Sequence, residues 1–295
     1  LKHLPGLGRW LAQVDADWLH AHYLTSHGTL AWAAQRGWRL RARIAGSAWG
    51  SDILVTPTQG WAYRWLTAKV LRACDITTSD SLHMAQRMRE LGAGEVMTFP
   101  FGLDQMPKQN IVKTPWLCFA NRGLEPIYRP ERVIEVFAAI AAVQPQARLV
   151  VANDGSLREA LMAKVAGMGL VERVSFVGRL DARTQGGQYA RAQWFLSLPQ
   201  SDSVSVSVLE AMAHECLPIL SDLPANRELI GPGLGQGLIV PEGGDPQLMA
   251  HLSSLAEQGT APGAVNRAWV AAHGLFAPAV QGFLKRLNEI SQHPA

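Results

Sequence analysis

From residue 115 onward the chain alternates short β-rich runs with helical patterns, and this alternation constrains the fold more than any other feature. Residues 115–121, 147–153, 174–178 and 194–199 read as strands. Each is followed by a helical pattern, over 131–143, 157–168, 181–192 and 206–214. Further strands are expected at 217–222 and 238–240, with a last helix near 246–257. Strands separated by helices of about 10 to 15 residues pair in parallel through right-handed crossovers. The runs Leu149-Val150-Val151 and Phe195-Leu196-Ser197-Leu198 are continuous in apolar character, as a sheet covered on both faces requires. Ligands of such sheets bind beyond the carboxyl ends of the strands.

The first part of the chain repeats the pattern with less material. Strands are expected at 18–22, 41–46, 76–79 and 95–99, and helices at 29–35, 62–74 and 81–91. The polar connector Pro107-Lys108-Gln109-Asn110 sets the expected boundary between domains of residues 1–108 and 109–295. The final helices of the second domain are expected to pack back on the first. With 48% hydrophobic and 17% charged residues, 295 residues suffice for two packed cores. The longest near-apolar stretch, 133–143, is interrupted by Glu135 and is too short to span a bilayer. Cys74, Cys118 and Cys216 lie in or beside apolar runs and cannot build a disulfide framework. Buried thiols and a cytoplasmic setting are therefore expected.

Charge is unevenly spread. Residues 1–108 carry 12 Lys/Arg against 8 Asp/Glu, and the remainder 15 against 16. Seven of the ten tryptophans fall within the first 65 residues. Arg36, Arg39, Arg41 and Arg43, interleaved with Trp32 and Trp38, suit transient contact with a membrane surface, and the expectation is peripheral contact at the inner face of the membrane. The alternative is a half-solvated strand with Arg out and Leu40, Ala42 and Ile44 in. The modest net charge of +3 and the lack of a recognised motif argue against nucleic acid.

The densest chemistry runs from Trp194 to Ile230. A buried strand ends at Pro199, and a loop bearing Ser201, Asp202, Ser203 and Ser205 leads into a helix containing Glu210. Serines at a helix start are expected to cap it, and the N–H groups and dipole there form an anion site. Glu210 falls eight residues after Asp202. An acid at each end of an amide-lined turn suits a polyhydroxylated ligand with a phosphate between, since one carboxylate accepts two hydroxyl donors. The alternative is a plain capped helix with a solvated glutamate. Gly231, Gly233, Gly235 and Gly237 precede a strand and lack dinucleotide-binding spacing. His20 and His22 share a strand face, but no Cys or carboxylate cluster completes a metal site, so no metal is expected.

In order and spacing these motifs resemble the family 4 retaining glycosyltransferases of GT-B architecture. The resemblance rests on Asp202, then Glu210-Ala211-Met212-Ala213, the run 217–222, and Leu223-Pro224-Ala225-Asn226-Arg227-Glu228. It extends through His20-Ala21-His22-Tyr23, Trp49-Gly50-Ser51-Asp52, Asp80-Ser81, Phe101-Gly102-Leu103-Asp104 and the run 174–178. It implies an α/β fold of two Rossmann-like parallel-sheet domains facing across a cleft. The first is expected to be incomplete, because the chain begins at Leu1 and the domain is short.

The same resemblance implies roles for individual residues. Glu210 would hold ribose hydroxyls, and Asp202, where the family more often has Glu, the donor sugar. Backbone amides of Ser203, Val204, Ser205 and Val206 would receive the diphosphate, and Val177 and Gly178 would line the nucleobase pocket. Arg122 matches the family's diphosphate-neutralising Arg; the Lys expected five positions on is Ile127, with Arg129 nearby as a substitute. On the acceptor side, Trp49 and Gly50 stand where relatives place a His followed by Gly. Trp49 would stack on a sugar or nucleotide, Asp52 would orient an acceptor hydroxyl, and His22 would lie in a loop at the cleft. The implied activity is metal-independent and cofactor-free transfer, with retention, of a sugar from a nucleotide-diphosphate donor to a glycan or lipid-linked acceptor. An inactive sugar-nucleotide-binding subunit and a nucleotide-sugar epimerase are the alternatives.

Overall fold

A computed structural model describes residues 2–108 and 112–292; Gln109 and Asn110 of the expected connector lie outside the described residues. The chain divides into two compact units, one of Leu1–Pro100 with Ala277–Ala295, the other of Phe101–Phe276.

The first unit runs α1 (Leu4–Val14), β1 (Trp18–His22), a π-helical turn (Tyr23–Gly28), α2 (Thr29–Gly37), β2 (Arg43–Ser47), α3 (Ser51–Leu54), α4 (Trp61–Ala73), β3 (Ile76–Ser79), α5 (Leu82–Glu90) and β4 (Val96–Thr98). Its four strands pair in parallel in chain order, with Trp18 opposite Arg43, Ala45 opposite Ile76 and Thr77 opposite Val96. One face of the sheet buries Ile44 with Leu24, Val70, Leu71, Met84 and Met88 from the turn and helices. The other face, through Ala45 and Ile76, packs on Phe283 and Leu287. Ser81 caps α5 by accepting from the Met84 N–H at 3.1 Å.

The second unit carries β5 (Thr114–Ala120), α6 (Pro130–Val143), β6 (Arg148–Ala152), α7 (Arg158–Gly167), β7 (Val174–Gly178), α8 (Ala182–Arg191), β8 (Ala192–Ser197), α9 (Val206–Ala213), β9 (Leu217–Ser221), α10 (Pro224–Arg227), β10 (Leu238–Val240), α11 (Leu248–Glu257) and α12 (Ala261–His273). The final helix, α13 (Phe276–Gln292), brings Phe283 and Leu287 to the first unit. There Ser291 Oγ accepts from Trp18 Nε1 at 2.9 Å, and Arg286 donates twice to Glu95, at 2.7 and 2.8 Å.

The sheet of the second unit is parallel throughout, in the order β10-β9-β8-β5-β6-β7. Its apolar runs are continuous because alternate residues serve two cores. Cys118, Trp194 and Leu196 join Phe137 and Ile140 on one face; Phe119 and Phe195 join Tyr189, Leu209 and Met212 on the other. The chain steps outward from β5 to β6 and β7, then returns past β5 to β8. The strand order therefore reverses between β5 and β8, the place where such sheets open a crevice for ligands.

Two contacts differ from the sequence-based expectation. Phe101-Gly102-Leu103-Asp104 falls within the expected first domain of residues 1–108, but Leu103 pairs with Leu275 and is buried in a core of the second unit. Trp38 and Trp32 do not form an exposed surface with their neighbouring arginines. Both are half-buried, and the Trp38 ring lies so close over Gly8 of α1 that a Cβ there would sit 2.2 Å from it. Among the described residues, no helix is long and apolar enough to cross a membrane.

Candidate active site

The loops after β5 and β8 meet at the strand-order reversal. Asn121 and Arg122 follow β5 directly, while residues 198–205 connect β8 to α9. Arg122 donates through Nη2 to Asp202 Oδ2 at 2.6 Å and through Nη1 to Ser205 Oγ, with Ser207 Oγ at 3.3 Å. Its guanidinium also lies 4.5 Å above the Tyr128 ring. Asp202 Oδ1 accepts from the Ser203 N–H at 3.0 Å. Burial pushes the Asp202 carboxyl up, while Arg122 and the Ser203 N–H pull it back toward ionisation. A fixed cation is thus held beside the start of α9.

The expectation that a serine caps this helix is corrected. Ser205 is the N-cap residue, yet its side chain makes no cap hydrogen bond; it turns to Arg122 and to Ser207 Oγ at 2.8 Å. The hydroxyls orient the guanidinium instead. Ser203, Val204 and Ser205 are buried in the turn, and Val206 is partly exposed at the first helical position.

Glu210 lies inside α9 at the edge of a cavity of about 510 Å³ in the second unit, lined also by Asp104, Lys108, Gln185, Tyr189 and His214. That volume suits a small polar ligand. Glu210 Oε2 accepts from Tyr189 Oη at 2.8 Å and from Gln185 Nε2 at 3.3 Å. Tyr189 Oη in turn accepts from Asn121 Nδ2 at 2.7 Å, so one buried phenol links the residue beside Arg122 to Glu210. Burial raises the Glu210 carboxyl, and the two side-chain hydrogen bonds lower it. The Tyr189 ring stacks on His214 at 5.3 Å.

Other expected residues are placed differently. Arg129 does not share Arg122's partners: its guanidinium makes a two-pronged pair with Glu242, at 2.5 and 3.0 Å, a carboxylate that Arg132 also reaches at 3.0 Å. Ile127 is partly exposed, and its carbonyl accepts from the Gln200 N–H at 3.0 Å, next to the β8–α9 loop. Val177 is partly exposed in β7, and Gly178 adopts φ +70 with its carbonyl accepting from Asn153 N–H at 2.7 Å. Both lie on the sheet's edge strand, two positions from β5.

In the first unit, the ends of β1 and β2 carry an aromatic group. Trp49 stacks on Tyr23 at 5.7 Å and donates through Nε1 to His22 Nδ1 at 3.2 Å. His20 lies 4.3 Å from His22 and 5.1 Å from Phe283; burial and His22 pull it down to about 4, so it is neutral near pH 7. Gly50 adopts φ +108, which a side chain would strain. Asp52 is corrected from an acceptor-orienting group to a clamp. It is 2% exposed, and its oxygens accept from Leu24 N–H at 2.8 Å and Trp49 N–H at 2.9 Å. It fixes the loop that presents Trp49.

The sequence reading missed Tyr189, Ser207 and Tyr128, and it named Tyr23 without a role. Ser207 continued the alternation of serines at 201, 203 and 205, and Tyr189 is four residues after Gln185 on one helix face, so both left a signal. The position of Tyr189 against Glu210 depends on how α8 packs beside α9, which no local pattern encodes.

Two parallel-sheet α/β units are the organisation of the GT-B fold, and solved structures of that fold superpose on this chain. HepE from Anabaena, solved with UDP, superposes with TM-score 0.79 over 97% of this chain and 82% of that one, at 14% identity. Sucrose-phosphate synthase from Thermosynechococcus elongatus gives 0.78 over 98% and 78%, at 18% identity. Residues 103–264 match the family model "Glycosyl transferases group 1", more than half the chain, and the protein belongs to that family. Residues 1–102 match "Glycosyl transferase 4-like domain". A GDP-mannose:cellobiosyl-diphosphopolyprenol alpha-mannosyltransferase of Xanthomonas oryzae pv. oryzae is 31% identical over 117 residues, 37% of this chain and 30% of that protein. Its counterpart in Xanthomonas campestris is 30% identical over 113 residues, 36% and 28%. These matches span under a third of either relative's length.

Proposed function

We propose that the protein is a retaining glycosyltransferase that moves a sugar from a nucleotide-diphosphate donor to a hydroxyl of a glycan or lipid-linked acceptor. The observation that carries this reading is Arg122, held by Asp202, Ser205 and Ser207 beside the first turn of α9. A departing diphosphate there would meet a guanidinium and the backbone N–H groups of residues 203–206, and electrostatic stabilisation of developing charge is in general a large catalytic term. Glu210 would accept two ribose hydroxyls from the cavity, Asp202 would contact the donor sugar, and Val177 and Gly178 would border the base. The first unit would bind the acceptor over Trp49 and His22. With retention, the acceptor attacks from the face the nucleotide leaves, and the leaving phosphate takes its proton. The chain needs no metal in this scheme, because Arg122 and the helix N–H groups supply the positive charge.

The mannosyl donor and polyprenyl-diphosphate acceptor named for the Xanthomonas relatives are the first substrates to test. Such an acceptor would place the protein in the cytoplasm at the inner face of a membrane, in cell-surface polysaccharide or glycolipid synthesis. Assay of GDP-, UDP- and ADP-sugars with lipid-linked glycans should give an α-linked product from an α-linked donor. An inverted product overturns the retaining mechanism. Binding without turnover for every donor favours the second reading, an inactive sugar-nucleotide-binding subunit. Ile127, where a second cation is expected, is the observation in its favour. Sugar conversion without any acceptor would instead indicate an epimerase.

A further inference from the structure

Helix α4 presents an aromatic and cationic face to solvent. Trp61 and Trp65 are 83% and 53% exposed, while Thr67, Val70 and Leu71 on the opposite side are buried. At 100° per residue, Trp61, Trp65, Ala68 and Arg72 fall on one stripe, flanked by Arg64 and Lys69. Lys69 Nζ lies 5.7 Å above the Trp65 ring. No acid occurs between Asp52 and Asp75, and among the described residues no ion pair takes up Arg64, Lys69 or Arg72. Large exposed aromatics grouped on one helix mark a contact surface.

We infer that this face of α4 docks the protein on an anionic lipid bilayer. The indoles would enter the headgroup region, where Trp and Tyr are favoured, and the three cations would meet lipid phosphates. The charge argues for this partner over a second copy of the chain, since two such faces would bring six cations together. The inference rests on the peripheral location proposed above and moves the contact from the strand arginines to α4. It does not require sugar transfer.

The test is co-sedimentation of the full chain with phosphatidylglycerol/phosphatidylcholine vesicles and with phosphatidylcholine alone. Wild-type protein should partition onto the anionic vesicles. The double variant Trp61→Ala, Trp65→Ala should lower partitioning about tenfold or more. Arg64→Gln and Lys69→Gln should each lower it roughly fivefold. Unchanged far-UV circular dichroism and unchanged donor binding would show that the variants fold. Equal partitioning of variants and wild type overturns the assignment. So does equal binding to neutral vesicles, or a dimer in sedimentation that the double variant abolishes without any vesicle binding. Loss of transfer with intact vesicle binding would fault the catalytic reading alone.

Discussion

Tyr189 ties the two halves of the proposed donor site together with a single hydroxyl. It donates to Glu210 and accepts from Asn121, whose buried Oδ1 has no hydrogen-bond partner among the described residues. Tyr189→Phe removes the donor that favours the ionised Glu210, so the raised carboxyl moves further up. If nucleotide binding needs the carboxylate, affinity should fall on acidification from a higher pH in Tyr189→Phe than in wild type. Calorimetric titration of a nucleoside diphosphate across pH checks this; superimposable profiles would contradict it. Stability responds with the opposite sign. A carboxyl raised in the fold contributes fully below its ordinary value of 4.5, and that contribution is lost as pH rises through the raised value. The variant should also lose about 1 to 2 kcal/mol of stability through its unpaired amide.

At the scale of elements, Gly102 marks how the start of the second unit is fastened to its own end. A Cβ at that position would lie 2.0 Å from the Gly274 carbonyl oxygen, a backbone atom with little freedom to move. Leu103 N–H donates to that same oxygen at 2.8 Å, and Phe276 N–H donates to the Leu103 carbonyl at 2.9 Å. Gly102→Ala should therefore cost about 2 to 4 kcal/mol by breaking this bridge. A urea midpoint shifted down at constant slope is the expected result; an unchanged midpoint would show that the bridge yields. Elements of this kind were the least legible in the sequence. Period and turn residues predicted Ile76–Ser79 and Val174–Gly178 to the residue, because β-branched runs end at clear breaks. The bridge at Leu103 leaves no such periodic trace, since its partner is 172 positions away.

At the scale of the whole chain, the sequence carried the sheet class and the two-part organisation, and it singled out Arg122, Asp202 and Glu210, which the structure places after β5, after β8 and in α9. They were legible because strand ends, acids and glycines occur in an order that few chains share. Orientation was not: Arg129 and Asp52 have the right type and place for a site, yet Glu242 and two backbone N–H groups occupy them. The central claim is that Arg122 and Glu210 form a nucleotide-diphosphate site. Its most direct test is calorimetric titration of UDP, GDP and ADP into wild type, Arg122→Lys, Arg122→Ala and Glu210→Gln. At least one nucleotide should bind wild type. Arg122→Ala and Glu210→Gln should each weaken it about tenfold or more, with Arg122→Lys between Arg122→Ala and wild type. Folded variants that bind as tightly as wild type would contradict the account.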